Sequence, residues 1–196
     1  EIFSVEELVE KFSLEKVQKS GAIFDSKKLD WMNGEYIRKK SLQELTILCL
    51  PYLCDFLKFQ IPNSKFQIDY ITKIIALEQP RLKKLSEIGE RTDYFFKEPV
   101  YDRGLLRWKD MSEAEITASL EKSEEIIKSE VRSQKSEVEI ERGFLEKIGA
   151  GDKGKILWPL RVALTGKKNS PNPFEIMEIL GVEETLKRLK SAKEIL

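Results

Sequence analysis

Two arginines stand where a planar, permanently charged fork has work available to it. Arg81 follows Pro80 between two apolar helical stretches, a place to read a guanine or cytosine edge, to brace a phosphate, or simply to open a helix at the surface. Arg161 lies inside WPLRVALTG (158–166), a strongly apolar helical run that Pro159 is expected to break. A cation there must pair, stack or face a ligand, because burying it alone is costly, and an acid from 110–146 would be the internal partner. Downstream, Lys167, Lys168, Asn169, Ser170, Pro171, Asn172 and Pro173 join two cations, small polar groups and two prolines directly before a helix start. That chemistry suits splayed single-stranded bases and their phosphates, and equally a solvated loop punctuated by prolines. Lys27, Lys28, Arg38, Lys39 and Lys40 form a basic cluster for which solvated charge and phosphate contact are both open.

Other chemistry is excluded by what is absent. The chain contains no histidine, so no Ser-His-Asp or Cys-His machinery exists in it and the commonest metal ligand is missing. Cys49 and Cys54 stand in the apolar run TILCLPYLCDF with no further Cys or His to complete a zinc set, which predicts buried reduced thiols and a cytoplasmic setting. No catalytic residue and no metal site are expected. No stretch approaches the roughly 18 apolar residues of a membrane span. The N-terminal EIFSVEELVEKF is acidic and amphipathic, which is not the pattern of a signal peptide, and Glu1 in place of an initiator Met suits a chain trimmed from a longer one.

The elements that must position these residues read as helices. Capping boxes of the S-x-x-E/Q type occur at Ser4/Glu7, Ser41/Glu44, Ser64/Gln67 and Ser112/Glu115, each ahead of an apolar helical repeat. After Ser41, Leu42, Leu45, Leu48 and Cys49 recur at three- and four-residue spacing, and after Ser64 so do Ile68, Ile71, Ile74, Ile75 and Leu77. The stretch 112–147 carries only a narrow stripe (Ile116, Leu120, Ile126, Ile127) and is expected to be a helix solvated over most of its circumference. Trp31, Met32, Tyr36 and Ile37 make a helical stripe read as packing, and Trp108 and Trp158 are read the same way. Gly166 and Gly181 sit where C′ residues stop helices, and Pro173 suits a helix start. With no hairpin turns and no repeats, the fold class is all-α. Lys+Arg and Asp+Glu balance at 34 each, distributed as about +2 over 1–109, −6 over 110–146 and +4 over 147–196. Any nucleic-acid contact is therefore local.

Three segments resemble one family in its own order. FSLEKVQKSGAIFDSKKLDWMNGEYIR (12–38), LEQPRLKKLSEIGERTDYFF (77–96) and KGKILWPLRVALTGKKNSPNPFEIMEILG (153–181) are similar to the bacterial-type glutamyl-tRNA synthetases, class I aminoacyl-tRNA synthetases. Members carry an HIGH-like motif and a KMSKS-like loop for ATP on a Rossmann domain, and this chain has neither. The resemblance thus implies the C-terminal anticodon-binding portion, with 1–40 the end of a stem-contact region, 41–98 a first helical anticodon-binding subdomain and 99–196 a second.

By the same resemblance, Arg81 matches the arginine that inspects the third anticodon position, and Arg161, Ser170, Pro171 and Pro173 fall at anticodon-contacting positions. Pro173 stands where a larger aliphatic side chain is expected. Lys27, Lys28, Arg38, Lys39, Lys40, Lys167 and Lys168 are the implied tRNA backbone contacts. The implied partner is tRNA(Glu), with tRNA(Gln) left open, no DNA and no membrane, in a monomer. The full-length enzyme would use ATP and Mg²⁺, while this portion needs no cofactor and would be inactive alone. Without the resemblance, an all-α protein-interaction module is the rival, supported by the acidic 112–147 helix and the balanced charge.

Overall fold

In the computed structural model, which describes residues 2–17, 21, 23–58, 65–131 and 137–196, the local capping chemistry starts the helices one after another. The Ser4 hydroxyl accepts from the Glu7 N–H at 3.1 Å and the Glu7 carboxylate accepts from the Ser4 N–H at 2.8 Å, opening α1 (Val5–Lys11). Asp25 accepts from the N–H groups of Lys27 and Lys28 to start α2 (Ser26–Lys39). Ser41 caps α3 (Leu42–Leu57) through the Glu44 N–H. Next come α4 (Lys65–Glu78), the 3-10 turn Gln79–Arg81 and α5 (Ile88–Thr92). Ser112 and Glu115 form the box ahead of α6 (Glu113–Val131). Then follow α7 (Glu137–Ile148), α8 (Gly154–Thr165) and α9 (Pro173–Glu194). Among the described residues there is no strand. The Ser64/Gln67 box lies outside the described residues, because Ser64 is not among them.

Among the described residues two apolar cores result. The smaller holds Ile37, Leu45, Cys49, Leu53, Ile71, Ile75, Leu82 and Ile88, drawn from α2 to α5. The larger is built where α6, α8 and α9 pack together, and includes Leu106, Ile116, Leu120, Ile127, Phe144, Leu160, Val162, Leu164, Ile176 and Leu189. Each such side chain removed from water contributes about 1.5–3 kcal/mol of gross burial energy. Ile74, Tyr94 and Phe95 belong to the larger core although they precede residue 99, and the Tyr70 hydroxyl donates to the Phe95 carbonyl at 3.2 Å. One seam therefore joins the end of α4 to α8 and α9.

Several sequence expectations change in the fold. The stretch 112–147 is not one solvated helix: it supplies α6 and α7, and α6 buries Ile116, Ser119, Leu120, Ser123, Ile126, Ile127 and Glu130. Its stripe looked narrow because Ser119, Ser123 and Glu130 are polar yet face inward. Trp31 and Tyr36 do not pack; they are 48% and 37% exposed, and only Ile37 of that stripe is buried, with Met32 half-buried. The Tyr36 hydroxyl instead donates to the Phe3 carbonyl. Trp108 and Trp158 do pack, with ring centres 5.2 Å apart. Pro159 does not break its helix, since α8 runs through it. Both cysteines are free thiols, Cys49 buried and Cys54 half-buried. Gly166 ends α8 at φ 68°, a left-handed conformation that only glycine adopts without strain, and Gly181 interrupts α9 at φ 77°.

Candidate nucleic-acid interface

The C-terminal end of α4 carries the first part of the site. On that helix Glu78 follows Ile71, Ile74 and Ile75 at seven, four and three residues, so the apolar face that drives burial ends on a carboxylate. Its side chain is 2% exposed, and Oε2 receives no hydrogen bond from any described residue; the Arg91 guanidinium is 3.7 Å away. Burial raises the Glu78 pKa, opposed by Arg81, Arg91 and Lys167. Arg81, half-buried, closes the 3-10 turn immediately after it.

α8 contributes Arg161 from the other side. Among the described residues no acid pairs with its side chain, and its buried Nε finds no hydrogen-bond partner there. The Arg161 pKa is lowered by burial and then by the Arg81 guanidinium. The internal ion pair with an acid of 110–146 is not what the described residues form. Tyr94, buried on the same seam, has a hydroxyl with no partner among them, and its pKa is raised by burial and by Glu78. Buried polar atoms left open, here Glu78 Oε2, Arg161 Nε and the Tyr94 hydroxyl, are unusual in a settled interior, where nearly all find partners.

The loop after α8 completes the arrangement. Lys167 forms an ion pair with Asp93 at 3.0 Å and, with Asn169, walls a cleft of about 330 Å³ whose remaining lining is Glu78, Glu87, Glu90 and Arg91. Lys168 and Asn169 are exposed and Ser170 half-buried, its hydroxyl donating to the Pro171 carbonyl at 3.1 Å. Pro171 and Pro173 are buried and shape the loop from inside. The start of α9 does not present free N–H groups to a phosphate: Asn172 accepts from the Phe174 N–H at 3.2 Å, and Glu175 accepts from the Asn172 N–H at 3.2 Å.

The basic cluster of 27–40 is not one patch. Lys27 and Lys28 occupy the first turn of α2 while Arg38, Lys39 and Lys40 stand at its other end, about 16 Å further along at 1.5 Å per residue. Arg38 pairs with Glu35 and donates to the Pro80 carbonyl at 3.4 Å, and Lys40 pairs with Glu44. The Gln79 side chain donates to the carbonyls of Ile37 and Lys40 at 3.0 and 2.9 Å, binding the end of α2 to the turn that carries Arg81. Glu78, Arg91 and Tyr94 were not among the residues singled out in the sequence. The legible signal for Glu78 was an acid in register with buried isoleucines. Among the described residues no group of acids and thiols could hold a metal ion, and no helix is long and apolar enough to cross a membrane.

A family profile described as an anticodon binding domain matches residues 44–193. The glutamate–tRNA ligase of Clostridium tetani is 42% identical over 195 residues, taking in 97% of this chain and 38% of that protein. The ligase of Moorella thermoacetica is 35% identical over 195 residues, 98% of this chain and 39% of that one. The crystal structure of the glutamate–tRNA synthetase from Elizabethkingia anophelis is similar at a TM-score of 0.73 and 26% identity, over 98% of this chain and 36% of that one. The chain thus spans about two fifths of the length of these relatives.

Proposed function

Because the chain belongs to the anticodon-binding domain family, we propose that it is the tRNA-recognising portion of a glutamate–tRNA ligase and that the seam between α4 and α8 meets the anticodon loop. The observation that carries this reading is Arg161, half-buried on α8 with no acid paired to it among the described residues and its buried Nε without a hydrogen-bond partner there. A half-buried guanidinium with no acid beside it raises the energy of the free protein, and a nucleic-acid ligand offering acceptor edges and phosphates relieves it. Arg81 and Arg161 read bases, Lys168, Asn169 and Ser170 touch the loop, and Pro171 and Pro173 hold its shape. Lys167 contributes charge while tied to Asp93.

Lys27, Lys28 and Lys39 are the freest of the cations offered to the tRNA stem, with Arg38 and Lys40 beside them. The organisation proposed is a stem-contact end at 1–40 and two helical anticodon-binding subdomains at 41–98 and 99–196, in keeping with two cores joined by one seam. In the whole ligase, ATP and Mg²⁺ would serve a catalytic domain that this chain does not supply, in the cytoplasm. The partner is tRNA(Glu). Exposed Val5, Leu8, Val9, Phe12, Phe24 and Trp31 support a place for this portion against the rest of such an enzyme. The rival protein-interaction module loses its main support, because the acidic helix invoked for it is a wall of the larger core.

Binding of tRNA(Glu) to the isolated chain, titrated across salt, tests the reading. Each phosphate neutralised contributes to a negative slope of log affinity against log salt, by about 0.7–0.9 per contact. A slope of several is expected, with weaker binding to unrelated tRNAs. Affinity indifferent to salt would overturn it.

A further inference from the structure

The turn that carries Arg81 is tied to α2 at points on both sides of the arginine. Gln79, two residues before it, donates to the carbonyls of Ile37 and Lys40 at 3.0 and 2.9 Å. The Pro80 carbonyl, joined directly to the Arg81 nitrogen, accepts from Arg38 Nη1 at 3.4 Å. Two residues after Arg81, the Lys83 carbonyl accepts from the Asn33 side-chain amide. Lys84 adds an ion pair to Asp30 at 3.1 Å. Between these ties Leu82 is fully buried in the smaller core, and α2 approaches so closely that a Cβ added at Gly34 would lie 3.1 Å from the Leu82 carbonyl oxygen.

The turn closes without these ties. Pro80 presets its own φ, and the Leu82 N–H donates to the Glu78 carbonyl at 3.1 Å. Asn33 and Arg38 are exposed, so water could satisfy both side chains and the carbonyls they reach, and such bonds add little net stability. What they do fix is geometry. With the backbone pinned at 79, 80 and 83, ordering Arg81 for a ligand costs only the freedom of its own side chain, which is how a recognition site is preorganised.

We propose, resting on the anticodon-loop reading above, that Asn33 and Gln79 are positioning residues: by pinning the chain on both sides of Arg81 to α2, they set where its guanidinium meets RNA. Neither amide touches the ligand. Because α2 also carries Lys27 and Lys28 in its first turn, the helix offered to the tRNA stem and the turn that carries Arg81 form one unit. Specificity at Arg81 then depends on a helix outside the 41–98 segment to which Arg81 belongs.

The test is a double-mutant cycle on the full chain, with tRNA(Glu) and transcripts altered at each anticodon position in turn. Arg81→Ala is expected to lower the ratio of cognate to altered affinity about tenfold at one position. Asn33→Leu and Gln79→Met, which keep the bulk of the amides and remove their donors, should each lower the ratio at that same position about threefold, on the order of half of a base contact. In the Arg81→Ala background neither should lower it further. Gly34→Ala removes no hydrogen-bonding group and presses α2 away from the turn, so it should reproduce the loss even where an amide variant folds poorly by thermal unfolding. Weakening of every tRNA alike, or an equal loss of the ratio with and without Arg81, would overturn the assignment and leave both amides as fold contacts, with the anticodon reading intact. An unchanged ratio in Arg81→Ala, or no salt-dependent tRNA binding by the wild-type chain, would remove the role of Arg81 and this inference together.

Discussion

The Ser119 hydroxyl donates a hydrogen bond to the Lys155 carbonyl at 2.8 Å, from α6 to α8. Lys155 lies four residues before Pro159, so its carbonyl is the one deprived of a helical N–H by the proline. A neighbouring helix replaces the missing donor, and α8 continues through Pro159 to carry Arg161 into the seam.

Removal of that donor should be felt in stability. Ser119→Ala leaves a carbonyl unsatisfied beside a buried position and should cost about 1–3 kcal/mol in urea unfolding. In a Pro159→Ala background, where the helix supplies its own N–H, the same change should cost clearly less. Equal costs in the two backgrounds would show that the bond does not compensate the proline.

Gly154 is packed against Trp108 so closely that an added Cβ would come 2.4 Å from the indole Cε2. Gly154→Ala must displace that ring, which also donates to Asp152 at 3.2 Å and packs tilted against Trp158. An overpacking cost of about 1–3 kcal/mol is expected, with a shift of tryptophan emission toward that of a more exposed indole. Unchanged stability and emission would show that the ring can move freely.

Acid pH separates two kinds of carboxylate. Glu124, beside Lys128 and bonded to Lys193 at 2.6 Å, is held below the ordinary carboxylate range by both lysines. Its contribution is present above the unfolded-state pKa and is lost as pH falls through the lower folded value, so the stability deficit of Glu124→Gln should vanish at strongly acid pH. Glu78 runs the other way, because burial raises its pKa and the folded chain holds that proton longer than the unfolded one. Stability attributable to Glu78 therefore falls as pH rises from the ordinary carboxylate range through the folded value. Glu78→Gln should gain on the wild type across that window in pH-dependent unfolding, and a growing deficit there would contradict the sign.

Helix starts were the most legible part of the fold. Ser4, Ser41 and Ser112 each act within one turn, so a short motif contains the whole cause. Elements whose character depends on distant partners were misread for the same reason. The inward-facing Ser119, Ser123 and Glu130 of α6 look like solvent residues until other helices supply their bonds, as in the Ser119 and Lys155 contact and the Glu130 pair with Lys147. Trp31 looks like core, and is exposed. At the site, Arg81 and Arg161 stood out because a cation in apolar company is locally conspicuous. That Arg161 Nε would find no partner among the described residues was not visible in its segment, nor was the capping of α9 by Asn172 and Glu175 that closes its N-terminus to an anion.

The most direct test of the account is Arg161→Lys, measured for thermal unfolding and for binding to tRNA(Glu) and to the same tRNA altered in its anticodon. Lysine keeps the charge and loses the planar fork, so cognate affinity should drop by the roughly 1–3 kcal/mol of a good bidentate contact, with discrimination against the altered tRNA shrinking alongside. The melting temperature should hold, since no acid among the described residues depends on Arg161. A lowered melting temperature with discrimination unchanged would contradict the account and leave Arg161 as scaffold.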